Sequence, residues 1–145
     1  MGRTATYLYC VVDAPKAPSL AGVPRGLPQA SPPAVRAAGR SLWLVTADVP
    51  LATYGEDALE SALRDLEWVA EVAVAHENVV EHFTGQKGLT VVPAQLFTMF
   101  SSPERALAET RSRRRQIAAI VRRISGCEEW GVRVTRGPSA GRPAG

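Results

Sequence analysis

Between Pro15 and Pro33 the chain places six prolines, with Gly22 and Gly26 among them. Proline lacks an amide hydrogen and fixes φ, so neither a helix nor a central strand can run through such a stretch. The segment from 15 to 39 therefore reads as a long surface loop, and regular structure must come from its flanks. Before it, Thr6 to Val12 (TYLYCVV) is aromatic and β-branched and stops at Asp13, Ala14 and Pro15, the pattern of a strand. After it, Ser41 to Val49 (SLWLVTADV) has the same character and ends at Pro50. The two strands can pair across the loop.

The period then changes. From Glu56 to Phe83 the apolar positions Leu59, Leu63, Leu66, Ala70, Ala73, His76, Val80 and Phe83 recur at three- and four-residue intervals, which predicts helix. Asp65 is a good N-cap with Glu67 in the following turn, so the helix is expected in two pieces broken there, with Gly85 at its end. Leu89 to Phe100 (LTVVPAQLFTMF) predicts a third strand, interrupted at Pro93 because proline cannot donate to a ladder.

Ser102, Pro103 and Glu104 supply a cap, a first helical residue and an acid at the positive end of the dipole. A second helix is expected from there to about Ser125, burying Leu107, Ile117, Ile120, Val121 and Ile124, with Gly126 as C-cap. Glu129 to Thr135 alternates Trp130, Val132 and Val134 against Glu129, Gly131 and Arg133, the pattern of a half-buried fourth strand. The expected fold is α+β: a small, mainly antiparallel four-stranded sheet with helices on one face. Its order, strand-strand-helix-strand-helix-strand, is a modified ferredoxin-like plan in which a loop replaces the first helix. Residues 1–135 would form one domain with a proline-rich loop at 13–40, and 136–145 a disordered tail.

A chain of 145 residues supports one core of ordinary size. Its 46% hydrophobic and 21% charged residues fit a soluble globular protein, and no uncharged run is long enough to span a membrane. The apolar N-terminal stretch is too short for a signal peptide, so an intracellular protein is expected. The formal charge of +3 comes from arginine, since Lys16 and Lys87 are the only lysines. Cys10 and Cys127 lack metal or disulfide spacing and read as small core residues.

The stretch VAHENVVEHFTG (Val74 to Gly85) resembles a helical zinc motif but misses it by one ligand. An HExxH site beginning at His76 needs a second histidine where Val80 stands, and the inverted HxxEH site ending at His82 needs one where Asn78 stands. His76 and His82, six apart, point about 120° away from each other on one helix. No metal is expected, and His76 reads as a buried or half-buried histidine with one hydrogen-bond partner. The chain has no glycine-rich phosphate loop, no GxSxG elbow and no cysteine beside a histidine, so neither a cofactor nor a catalytic nucleophile is proposed. Arg111, Arg113, Arg114 and Arg115 form a basic run that either meets phosphates or an acidic protein surface or is a solvated helix face. Without interleaved aromatics it does not propose nucleic acid.

Taken in order, YLYCVV, the helix carrying AHENVVEHF, then TVVPAQLFTMFSSPERAL and finally VRRISGCEEWGVRV resemble the gas vesicle protein GvpF/GvpL family over Thr6 to Val134. The most specific parts are the VPAQLFTMF segment, with Pro93 and Phe97, and EEWGVRV, with Trp130 and Gly131. His76 corresponds to a histidine of the family helix, to which no metal role attaches. The resemblance implies a non-catalytic minor protein of gas vesicle assembly, located in the cytoplasm at the gas vesicle. Its partners would be the hydrophobic shell protein and other accessory proteins, not nucleic acid or membrane. Family members usually continue into a second, C-terminal α+β region, whereas this chain ends in GPSAGRPAG, so it resembles a short form. Tyr7, Tyr9 and Trp43, on alternating strand positions, are candidates for a sheet face that binds the shell subunit, or for the core. Arg113, Arg114 and Arg115 are candidates for acidic accessory partners. The competing reading is a small ligand-sensing or regulatory ferredoxin-like module.

Overall fold

The structure, a computed structural model, describes residues 2–129, with side chains as far as Ser125. Its elements, in chain order, are β1 (Thr4–Asp13), β2 (Ala34–Gly39), β3 (Leu42–Pro50), α1 (Leu51–Tyr54), α2 (Glu56–Ala62), α3 (Leu66–Thr84), β4 (Thr90–Pro93), β5 (Met99–Phe100), α4 (Pro103–Ser112) and α5 (Arg114–Glu129). The class is α+β, as expected: an open antiparallel sheet of order β2-β3-β1-β4, with β5 also on β1. Strand β1 is central. It pairs with β3 along its length, with β4 at Cys10 to Asp13 and with β5 at Thr6 and Tyr7.

The expected strand at 89–100 is thus two short ladders on one edge of β1, with residues 94–98 looping out after Pro93. Isolated bonds hold the two together, from Ala94 N–H to the Tyr9 carbonyl (3.0 Å) and from Leu8 N–H to the Thr98 carbonyl (2.9 Å).

A bulge between Leu8 and Cys10 sets how β1 distributes its side chains. One extra residue in a ladder reverses the alternation beyond it. Tyr7, Tyr9, Cys10 and Val12 therefore all enter one core, with Val45, Ala47 and Val49 of β3 and Val72, Val79, Val80 and Phe83 of α3. Leu8 and Val11 enter a second core, with Leu42 and Leu44 of β3, Ala106 and Leu107 of α4, and Ile117 of α5. Both faces of the sheet are covered: α1 and α3 pack on one and α4–α5 on the other. This corrects the expectation of helices on one face. The uninterrupted apolar run of β1 is what a strand buried on both sides requires.

Strand β2 lies in the segment read as loop. The prolines end at Pro33, and Ala34 to Gly39 then pairs with Leu42 to Thr46 of β3. Its sequence, AVRAAG, has little strand propensity, and pairing with β3 supplies what propensity does not. The rest of the proline segment is irregular, but it is anchored. Leu27 is buried, and its N–H donates to the Tyr9 hydroxyl (3.0 Å) while the Tyr54 hydroxyl donates to the Pro28 carbonyl (2.9 Å). Gly26 permits this approach, because it has φ +91 and a Cβ there would collide with the Tyr9 hydroxyl.

The helix boundaries follow their caps. Asp65 accepts from the N–H groups of Glu67 (3.1 Å) and Trp68 (3.2 Å), placing the expected break between α2 and α3, and Gly85 caps the end of α3. Ser102 accepts from Arg105 N–H (3.1 Å), with Pro103 at the first helical position. The single helix expected from 102 to 125 is instead two, divided at Arg113. There the Ser112 hydroxyl donates to the Glu109 carbonyl (2.8 Å), and the like charges of Arg111 and Arg115 disfavour a continuous turn. Gly126, expected as a C-cap, lies inside α5, and so does Glu129, the expected start of a fourth strand. The remainder of that strand, with Trp130 and Gly131, and the 136–145 tail lie outside the described residues.

Candidate functional site

The residues singled out in the sequence separate into a sealed interior group and an exposed one. Tyr7, Tyr9 and His76 meet inside the first core, with ring centroids 5.0 Å apart for the tyrosines and 5.6 and 5.7 Å from each to the histidine. The Tyr7 hydroxyl lies 2.7 Å from His76 Nδ1, and His76 Nε2 lies 3.1 Å from the Ala94 carbonyl oxygen. Tyr7 also accepts from Phe97 N–H (3.3 Å).

These bonds fix the tautomer. The Ala94 carbonyl can only accept, so Nε2 carries a proton, and in the neutral imidazole Nδ1 then accepts the phenol hydrogen from Tyr7. Desolvation by burial pushes the Tyr7 phenol well above its ordinary range and raises the Tyr9 phenol as well, so both stay protonated at neutral pH.

This pair holds the VPAQLF segment. Ala94 and Phe97 are the two backbone points it grips. Phe97 itself adopts φ +66, a costly conformation for a bulky residue, and stacks on Trp68 (centroids 6.0 Å, planes 14° apart). Trp68 in turn lies 5.6 Å from Tyr54. Pro93, exposed, closes β4 opposite Cys10. Tyr7 and Tyr9, both fully buried, thus present no surface to a partner and belong to the core alternative. Trp43 is half-buried, its indole N–H donating to the Ala14 carbonyl (2.9 Å).

His82 does not join this group. It is half-buried, and its Nε2 lies 3.1 Å from the Ser19 carbonyl, which Gln86 also binds (2.9 Å), so the end of α3 pins the proline segment. Among the described residues no cluster of three or more histidine, cysteine or acidic side chains could hold a metal ion.

Two features are exposed. Arg113, Arg114 and Arg115 stand at the α4–α5 junction and, with Arg111, Ser112 and Gln116, line a shallow concavity. Arg113 is tied to Glu109 by an ion pair of 2.9 Å. The second is β2. Among the described residues it pairs only with β3, leaving its outer edge open apart from the Ala38 carbonyl, which the Arg111 guanidinium reaches at 3.4 Å. The sequence reading missed this edge, and its only signal was the absence of proline after Pro33.

The family model for "Gas vesicle synthesis protein GvpL/GvpF" matches residues 5–141. The chain belongs to the GvpL/GvpF family. The match spans both layers of helices and the whole sheet, so the Tyr7–His76 pair, the VPAQLF segment and the arginine junction all lie within the family region. No curated protein and no solved structure matches the chain. The family assigns the chain to gas vesicle synthesis, and no helix among the described residues is long and apolar enough to cross a membrane.

Proposed function

We propose that this chain acts in gas vesicle assembly as a non-catalytic binding protein in the cytoplasm, holding the hydrophobic shell protein and accessory proteins in a soluble, assembly-competent form. The family match over residues 5–141 carries this reading. With both sheet faces covered by helices, the docking place for an apolar segment moves from the tyrosine face to the open edge of β2. There an extended segment gains main-chain hydrogen bonds and is withdrawn from aggregation. Trp43 lies beside this edge, opposite Ala37 of β2. The Arg113–Arg115 segment, exposed and basic, is suited to an acidic accessory protein.

Co-expression of the shell protein with and without this chain tests the reading. More soluble shell protein, retained with the chain on affinity capture, supports it, and neither gain nor retention with the chain folded refutes it.

A further inference from the structure

The two helical layers carry opposite charge. From Leu51 to Thr84 the chain has eight acidic residues against one arginine, and from Pro103 to Ser125 seven arginines against two glutamates. The first stretch supplies the layer over the Tyr7 core and the second the layer over the Leu8 core, so the charges face away from each other across the sheet. On α3, Leu66, Ala70 and Val74 recur every four residues along the outer side, with Glu67 and Glu71 exposed beside them. Leu66 is 78% and Val74 59% exposed, unusual for large apolar side chains on a helix already packed on a core. On α5, Arg115 and Arg122 are seven apart and share a side, with Ala118 and Ala119 exposed between them and Ile120 39% exposed at the margin.

We propose that copies of this chain stack head to tail, the arginine-rich α4–α5 face of one against the acidic α2–α3 face of the next. Each face offers a strip of small or apolar side chains bordered by charge, and the charges are complementary only between unlike faces. Because those faces lie on opposite sides of one sheet, a two-fold pair cannot satisfy both. The contact is heterologous and repeats as an open row. Surface ion pairs are individually weak and screened, so the row forms at low ionic strength and dissolves at high. This deepens the reading of Arg113–Arg115 as a protein-docking surface, on which it rests, by naming a second copy as the acidic partner. Its test uses the purified chain alone, so its failure is distinguishable from failure of the shell-protein reading.

Sedimentation velocity at increasing protein concentration, at about 0.02 M and about 0.5 M salt, reads the association directly. The expected result is a concentration-dependent series of larger species at low salt and monomer at high salt. Arg114→Glu, Arg115→Glu and Arg122→Glu together should abolish the series, as should Glu60→Lys, Glu67→Lys and Glu71→Lys together, while mixing the two variants should restore it as an alternating row, because each variant then meets the opposite charge on both of its faces. Glutamine substitutions at the same positions replace any reversal variant that loses its circular dichroism spectrum. Monomer throughout at low salt, association that survives either set of changes, or failure of the mixed variants to pair would overturn the proposal.

Discussion

The Tyr7 hydroxyl lies 2.7 Å from His76 Nδ1, joining β1 to α3 across 69 positions of sequence, and the same hydroxyl accepts from Phe97 N–H. One phenol therefore couples the central strand, the long helix and the β4–β5 connection. Removing it while keeping the ring leaves a buried imidazole nitrogen and a backbone N–H without that partner.

Tyr7→Phe should cost about 1–3 kcal/mol of folding stability, the range for leaving buried polar groups unsatisfied. Tyr9→Phe, which abandons only the Leu27 N–H, should cost less. Urea denaturation of both variants against the parent checks the order.

Gly26→Ala meets two obstacles. A left-handed backbone at a non-glycine residue costs on the order of 1–3 kcal/mol, and the new methyl runs into the Tyr9 hydroxyl. Gly22 has φ +75 with open space around it, so Gly22→Ala carries only the backbone strain. Thermal melting should show a larger fall in Tm for Gly26→Ala than for Gly22→Ala.

The pH dependence follows from burial. Desolvation raises Tyr7, Tyr9 and Tyr54 above the ordinary phenol value and pushes the Cys10 thiol up to about 12 from 9.0. In every case the folded value lies above the unfolded one. The contribution is therefore fully present below the unfolded values and is lost as pH rises from them through the folded values. Stability should thus fall progressively above about pH 9. Chemical denaturation at stepped alkaline pH checks this. A curve that stays flat to pH 11 or beyond would contradict the buried placement of these groups.

Asp65 caps α3 through two backbone N–H groups, so Asp65→Ala should cost about 1 kcal/mol and Asp65→Asn, which keeps an accepting oxygen, only a fraction of that. Denaturation midpoints of the two variants separate capping from charge.

Local signals were legible wherever one residue type carries a strong backbone preference. Asp65, Gly85 and the Ser102–Pro103 pair each marked a helix end, and Pro93 marked the interruption in the third strand. Tertiary context decided the rest. Strand β2 exists because β3 offers a partner, which AVRAAG does not advertise. The bulge after Leu8 sends Tyr9 and Cys10 to the same side, so strict alternation cannot assign the faces of β1. His76 was legible as a buried or half-buried histidine with one partner, but it is buried with two, and both, Tyr7 and the Ala94 carbonyl, come from segments the periodicity of α3 cannot see. The helix over Ser102 to Ser125 looked continuous because no glycine or proline stands between Glu104 and Ser125 to mark the break at Arg113.

The most direct measurement of the central claim is the amount of shell protein that stays in solution when diluted from denaturant into increasing concentrations of this chain. A saturating rise, reduced when Val35→Pro interrupts the open edge of β2, is the expected result. No rise, with the chain folded by circular dichroism, would contradict the binding role.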